Sequence, residues 1–450
     1  MTRCGWLDCA LWGWCRPQPT SPERCVGPWS AGRRWETPMG SHRRKSCRVC
    51  SGSDLRSVLD LGAQPCANAL PADPKDFETE ARYPLELFIC EGCAHLQLID
   101  VVDPEELFGH YLYLTGTSST MRRHFERYAK AMTERCGLAP GARVVEVASN
   151  DGCLLAGFQA EGAQVLGIEP ARNVAEQARA SGVETLSLFF DEDCARTVRE
   201  ERGAFDLAVA NNVLAHVDDP LGFLKGLRRL VEPRGRVVVE VPWAGQMFDK
   251  LEFDTIYHEH LSCFLAGPLG ALIRRAGMAV EEYWHKPVHG GTLRLLLSPS
   301  DEGQHAAPFR KLVETENARG LHDTRSWEAF AEKAIGLRDA LTDLLENEHE
   351  AGRVVAGYGA PAKGNTLLNF CGIGPERLAF TVDKNPLKAG RWTPGSHIPI
   401  FPPEVIEERK PDLLLILPWN LAEEIMEQED SHRARGGRFL IPIPEPRILT

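Results

Sequence analysis

Two cysteine pairs set the first limit on what this 450-residue chain can build. Cys47-Arg-Val-Cys50 and Cys90-Glu-Gly-Cys93 each bring two thiolates to one tight turn. Four sulfurs so placed close a tetrahedral shell, which suits a structural Zn²⁺ and leaves no open position for catalysis. A rubredoxin-like iron uses the same four thiolates, so the spacing leaves zinc and iron both open. The second pair follows Tyr83-Pro-Leu-Glu-Leu-Phe-Ile and precedes His95-Leu-Gln-Leu-Ile, the strand–knuckle–strand order of a zinc ribbon. The 39 residues between the pairs exceed ribbon spacing, which predicts an inserted excursion.

The remaining cysteines are scattered, and the first residues lack the clean apolar stretch of a secretory signal. That usage predicts reduced thiols in the cytoplasm and one metal site. Residues 1–45 hold five of the ten tryptophans and a net charge of +5, with no usable period. They read as a disordered extension, with Met39 as an alternative start. Everything after them carries −17, a poor match for a nucleic acid polymer or an anionic membrane. No apolar run approaches the roughly 20 residues of a membrane-spanning helix.

A nucleotide-type α/β unit begins at Gly141. Residues 141–147 form a buried-strand run that ends in Ala148-Ser149-Asn150-Asp151-Gly152, and an apolar helix start follows. A second strand pattern, Gln164 to Ile168, ends in Glu169. A turn without bulk, then a carboxylate for ribose hydroxyls, is what adenosine recognition needs. Further strands at Phe205–Asn211 and Gly235–Val241 alternate with helical stretches, which predicts a largely parallel sheet. Dinucleotide enzymes want G-x-G-x-x-G for the pyrophosphate. Here the turn is acidic, with Glu146 in the strand before it, so a cationic sulfonium fits and a pyrophosphate does not. The charge points to S-adenosylmethionine.

Tyr257-His258-Glu259-His260 gathers four ionisable side chains in four positions. Carbon methylation needs a carbon nucleophile, which a ketone supplies once a proton α to its carbonyl is removed. Imidazole suits that base, because its pKa lies near operating pH.

In order along the chain stand the two C-x-x-C pairs, Glu146–Gly152, Ile256–His260, Val288-His289-Gly290-Gly291 and Gly357-Tyr-Gly-Ala-Pro-Ala-Lys363-Gly. From about Cys47 to its end the sequence thereby resembles the zinc-binding, S-adenosylmethionine-dependent sugar C-methyltransferases. The resemblance implies an α/β protein in three parts behind the extension at 1–45. These are a zinc-binding ribbon-like domain at 46–110, a class I Rossmann-like methyltransferase domain at 111–300, and a C-terminal Rossmann-like domain at 301–450 that holds a nucleotide-linked sugar. It implies a monomer that methylates a dTDP-linked 4-keto-deoxysugar at C3 through an enolate, in antibiotic biosynthesis. His260 is then the base, with Glu259 and Tyr257 orienting it, and His216 hydrogen-bonds the carbonyl oxygen. Glu146, Asn150, Gly152, Glu169 and Asn211 hold the donor. His289, Gly290, Tyr358, Lys363 and Asn369 hold the sugar nucleotide, and Cys47, Cys50, Cys90 and Cys93 hold Zn²⁺. One departure is Ala148-Ser149, where some relatives carry a Gly-Cys pair.

Other readings compete. O- or N-methylation would use the same cluster on a hydroxyl or amine. An NAD-dependent sugar oxidoreductase or epimerase would use the glycine turn at Gly357–Gly364, although the full dinucleotide pattern is absent. A zinc-ribbon scaffold without catalysis would bind the donor without turnover. Between the two α/β regions, Trp327, Phe330, Ala334, Leu337, Leu341 and Leu344 fall at helical spacing and predict a packing helix.

Overall fold

The computed structural model describes residues 40–109, 114, 116, 119–286, 290–300 and 303–450. Most of the predicted extension, Val288 and His289 lie outside the described residues. The end of the extension corrects the expectation, because β1 (Ser41–Arg43) pairs antiparallel with β5 (Asp100–Val102). Its basic residues find carboxylates: Arg43 Nη1 lies 2.7 Å from Asp100, and Arg44 Nη1 lies 2.9 Å from Asp218.

Between these two strands come β2 (Leu55–Gln64), β3 (Tyr83–Cys90) and β4 (Leu96–Leu98), an antiparallel meander that carries the second knuckle at its β3–β4 turn. The inserted excursion runs between β2 and β3. It does not loop into solvent: Ala67 O accepts from Asn365 Nδ2 at 2.7 Å, and Pro71 O accepts from Trp392 N at 3.1 Å.

The central sheet holds β6 (Arg143–Val147), β7 (Gln164–Ile168), β8 (Thr185–Leu186), β9 (Phe205–Asn211) and β10 (Val231–Pro242). Past β11 (Ser262–Cys263) it is completed by β12 (Met278–Lys286) and β13 (Thr292–Pro299). The spatial order is β12-β13-β10-β9-β6-β7-β8, parallel from β8 to β10 and antiparallel at β13. Val144, Val145 and Val147 are all buried, as a strand covered on both faces requires. β11 leaves this sheet and pairs with β4, so the chain just after the Tyr257–His260 cluster is stitched into the zinc-binding sheet.

The last sheet has the order β16 (Ile400–Phe401), β15 (Thr381–Val382), β14 (Val355–Tyr358), β17 (Leu413–Ile416), β18 (Arg438–Ile441), β19 (Arg447–Leu449). It is parallel but for β19, a Rossmann-like arrangement. The predicted packing helix is Thr324–Glu350, capped by the Asp323 side chain on Arg325 N. Trp327, Phe330, Ala334, Leu337 and Leu341 are buried as expected. One turn beyond Leu341 the buried residue is Leu345, and Leu344 is only partly covered. This helix lies in one apolar cluster with Leu87 and Leu96 of the zinc-binding sheet and Leu414 of the last sheet. This helix, the zinc-binding sheet and the last sheet therefore share a core, while the central sheet packs in a separate cluster that includes Val145 and Val237.

Candidate active site

The knuckles meet. Cys47 Sγ lies 3.6 Å from Cys93 Sγ, Cys50 Sγ lies 3.5 Å from Cys90 Sγ, and all four sulfurs fall within 4.8 Å of one another. Tetrahedral zinc with sulfur at about 2.3 Å sets sulfur–sulfur edges of about 3.8 Å, so the residues fit the ion. Backbone N–H groups of Val49 and Gly52 donate to Cys47 Sγ and Cys50 Sγ at 3.3 and 3.4 Å, which suits thiolates. Arg48, buried within the first knuckle, lies 3.0 Å from Asp218. The metal turn is thus tied to the loop that carries His216.

A cavity of about 950 Å³ opens at the carboxyl ends of β6, β7, β9 and β10. Glu146, Asn150, Glu169 and Asn211 line its donor end. Glu169 accepts from Asn150 N and Ala171 N, both at 2.9 Å, and so closes the turn after β6. Glu146 Oε1 accepts from Asn211 Nδ2 at 3.3 Å, and Asn211 Oδ1 accepts from the Tyr128 hydroxyl at 2.8 Å. Glu146 Oε2 has no partner among the described residues. Burial holds both carboxyls above their ordinary range. Burial by itself favours the protonated acid, whereas a cation beside the unused oxygen favours the ionised form, and S-adenosylmethionine carries two cationic groups. Gly152 does not line the cavity, but its φ of +77° and Val183 at 3.0 Å from any Cβ leave no room for a side chain there. Ala148 takes φ +57°, a conformation that glycine enters freely and that an L side chain rarely adopts.

Tyr257, His260 and His216 line the middle of the same cavity. The His260 and Tyr257 rings lie 4.0 Å apart between centroids, and the His260 and His216 rings 4.9 Å apart. His260 Nδ1 lies 2.7 Å from the Thr255 carbonyl. A carbonyl only accepts, so Nδ1 carries a proton, and in the neutral imidazole the lone pair resides on Nε2. Burial, then the neighbouring His260, keeps His216 well below its ordinary pKa and therefore neutral. Glu259 is buried behind this face, where its Oε1 accepts from Asn68 Nδ2 at 2.6 Å.

His258 has a different task. It is buried, and Nε2 donates to Tyr83 O at 3.1 Å, which fastens the loop to β3. Its Nδ1 has no partner among the described residues, and burial brings the imidazole from 6.5 to about 4. As pH falls through 6.5 the unfolded chain takes up this proton before the folded one, so stability declines from there to about pH 4. His258 accounts for about 3 kcal/mol of that loss. Chemical denaturation at pH 7 and pH 5 should show about 2 kcal/mol of it, and His258→Gln should flatten the slope.

Of the described residues expected to hold the sugar nucleotide, only Lys363 lines the cavity. It stands on the first turn of the helix Ala362–Cys371, beside the Trp419 ring at 4.9 Å. Gly290 lies just behind the wall, with its carbonyl 3.2 Å from Lys250 Nζ. Tyr358 is buried at the end of β14 and is not part of the lining. Asn369 also turns away, since its amide donates to Asn365 O and Pro394 O at 2.8 and 2.9 Å. Helical phase is the reason: Asn369 sits six residues beyond Lys363, about 1.7 turns, which rotates it by roughly 120° toward the 394–395 loop. His289 lies outside the described residues.

Several lining residues carried no sequence signal of their own. Asn68 reaches the cavity from the inserted excursion, whose excess length was the only hint. Lys388 also lines the cavity, with Nζ donating to Ala360 O at 2.8 Å on the turn that leads to Lys363. Asp254 is fully buried and accepts from Trp419 Nε1 at 2.7 Å, joining the loop before the histidines to the last sheet.

A donor-type cavity in a seven-stranded α/β sheet, with an imidazole cluster facing it and a four-thiolate knuckle beside it, defines a methyltransferase class of site. Family models match in three consecutive pieces. "Putative zinc binding domain" covers residues 47–108, "Methyltransferase domain" 121–283 and "C-methyltransferase C-terminal domain" 287–444. C-methyltransferase NovU of Streptomyces niveus is 35% identical over 405 residues, which cover 90% of this chain and 96% of NovU. The chain belongs to this C-methyltransferase family, and it is an S-adenosylmethionine-dependent enzyme with a zinc site. A ubiquinone biosynthesis O-methyltransferase of Rhodopseudomonas palustris (strain BisB18) is 34% identical over 119 residues, 26% of this chain and 44% of that protein. Among solved structures, magnesium protoporphyrin IX methyltransferase (ChlM) from Synechocystis PCC 6803 with bound SAM matches at a TM-score of 0.31. That match has 11% identity and covers 40% of this chain and 79% of the other. Among the described residues no helix is long and apolar enough to cross a membrane.

Proposed function

We propose that the substrate is a nucleotide-linked 4-keto-deoxysugar, a dTDP-sugar methylated at C3, in natural-product biosynthesis. The observation that carries this reading is the His260 tautomer. Its Nδ1–H is spent on Thr255 O, so its basic Nε2 shares one cavity with Glu146 and Glu169.

His260 Nε2 takes the proton from C3, and the C–H electron pair moves into the carbonyl. Imidazole alone is too weak for an ordinary ketone, so donors must meet the growing oxyanion. His216, neutral in its buried setting, supplies an N–H for it, and the Tyr257 hydroxyl supplies an O–H. Glu259 keeps the loop in place through Asn68. S-adenosylmethionine, when bound, supplies the electrophilic methyl group. Glu146 faces its cationic end, and Glu169 with the Asn150 turn faces its ribose. Lys363, at a helix N-terminus, meets the diphosphate. The relative NovU is itself a C-methyltransferase. We also read the enzyme as a cytoplasmic monomer, a compartment in which free thiolates stay reduced for the metal.

Deuterium exchange tests the reading. With a dTDP-4-keto-6-deoxyhexose in D₂O and no methyl donor, label should enter the carbon α to the ketone. With donor, NMR of the product should place the methyl on that carbon. Methylation at oxygen or nitrogen, without exchange, would overturn it.

A further inference from the structure

One carboxyl in the cavity has no part in the chemistry above. Glu252 lines the wall, is 3% exposed, and its Oε1 has no hydrogen-bond partner among the described residues. Its backbone is fully committed. Its N–H donates to Met247 O at 2.9 Å, and its carbonyl accepts the Thr255 N–H and hydroxyl at 3.1 and 2.7 Å. The Thr255 carbonyl is the same group that orients His260, so Glu252 and His260 are held by one short turn.

The surroundings confine this side chain without satisfying it. Gly290 presses on it: a Cβ there would lie 2.6 Å from Glu252 Oε2, and φ is +97°. Lys250 and Lys363 are the nearby cations and Asp254 the nearby acid. Lys250 is engaged by Gly290 O at 3.2 Å and Lys363 by Asn420 Oδ1 at 3.3 Å, and neither forms an ion pair with Glu252. Burial pushes the carboxyl up to about 8, so near neutral pH it mostly keeps its proton. A neutral acid both donates and accepts, and a buried polar group without a partner is costly unless a ligand supplies one.

We propose that Glu252 reads an oxygen substituent of the hexose ring, a hydroxyl or carbonyl, and so selects the sugar that reaches His260. This rests on the reading of the cavity as a ketosugar site. An amine in the same place would call for the ionised carboxylate, and a carbon without oxygen would leave the acid unpaired. A site built around such a bond rejects analogues that lack the partner far better than an apolar pocket does.

The test compares Glu252→Gln and Glu252→Ala with wild type, using dTDP-4-keto-6-deoxyglucose as substrate and calorimetric binding of S-adenosylmethionine as the check on fold. Glutamine keeps a neutral donor and acceptor, so that variant should stay within about 5-fold of wild type in kcat/KM. Alanine should lose on the order of 10²-fold, chiefly through KM, with donor binding unchanged in both. Three outcomes would overturn the proposal: alanine equal to wild type, glutamine as impaired as alanine, or loss of donor binding in the alanine variant. If wild type itself neither methylates nor exchanges this ketosugar while still binding the donor, the parent reading fails and Glu252 falls with it.

Discussion

Replacing His260 by glutamine lowers turnover by on the order of 10²- to 10⁴-fold and leaves donor binding intact, the expected result if its Nε2 is the base. Glutamine is close in size and still offers an N–H to the Thr255 carbonyl, 2.7 Å from the native Nδ1, so the turn from Glu252 to His260 has no reason to shift. It cannot take up a proton at any useful pH. The contact with Tyr257 is partly kept, and the donor end at Glu146 and Glu169 is untouched. Steady-state kinetics should show the loss in kcat, calorimetry should show unaltered S-adenosylmethionine affinity, and exchange at the α-carbon should stop with turnover. Exchange that persists after turnover is lost would assign the proton to another group, and full turnover would remove His260 from the chemistry.

Cys90→Ser has the second large effect, on folding rather than chemistry. Cys90 is fully buried, with its Sγ 3.5 Å from Cys50 Sγ. Serine is a poor zinc ligand, and a structural zinc site supplies on the order of 10 kcal/mol of folding free energy in small domains. That is comparable to the whole margin by which most proteins are stable, about 5–15 kcal/mol. Metal content and thermal unfolding should therefore collapse together. The loss should reach the cavity as well, because Arg48 in the first knuckle holds Asp218, and Asn68 in the excursion holds Glu259. Metal-free protein that keeps its melting temperature and rate would show that the knuckles do not hold the fold.

The residues whose chemistry depends on near neighbours were readable along the chain. Paired thiolates need only a two-residue gap, and the turn from Glu146 to Gly152 is one short run between a strand and a helix. Tyr257 to His260 is likewise local. Lys363 was legible for the same reason, since a glycine turn before a helix places the first-turn lysine at its mouth. Asn369 and Tyr358 lie in the same stretch but not on the cavity, because which face a helix or strand end presents is set by what packs on it. The end of the expected extension was misread because the pairing of Ser41–Arg43 involves a strand about 60 residues away.

By itself the sequence determined the parts: a four-thiolate metal turn, a donor-type α/β unit, an imidazole cluster and a second glycine-turn sheet. Only the tertiary structure decided how they close on one cavity. The excursion between the cysteine pairs brings in Asn68, β11 joins the zinc-binding sheet, and Asp254 meets Trp419 across 165 residues of chain. The physical reason is range. Turn chemistry and ligand spacing act over a few residues, whereas a buried carboxyl such as Glu252 owes its state to which distant elements exclude water from it.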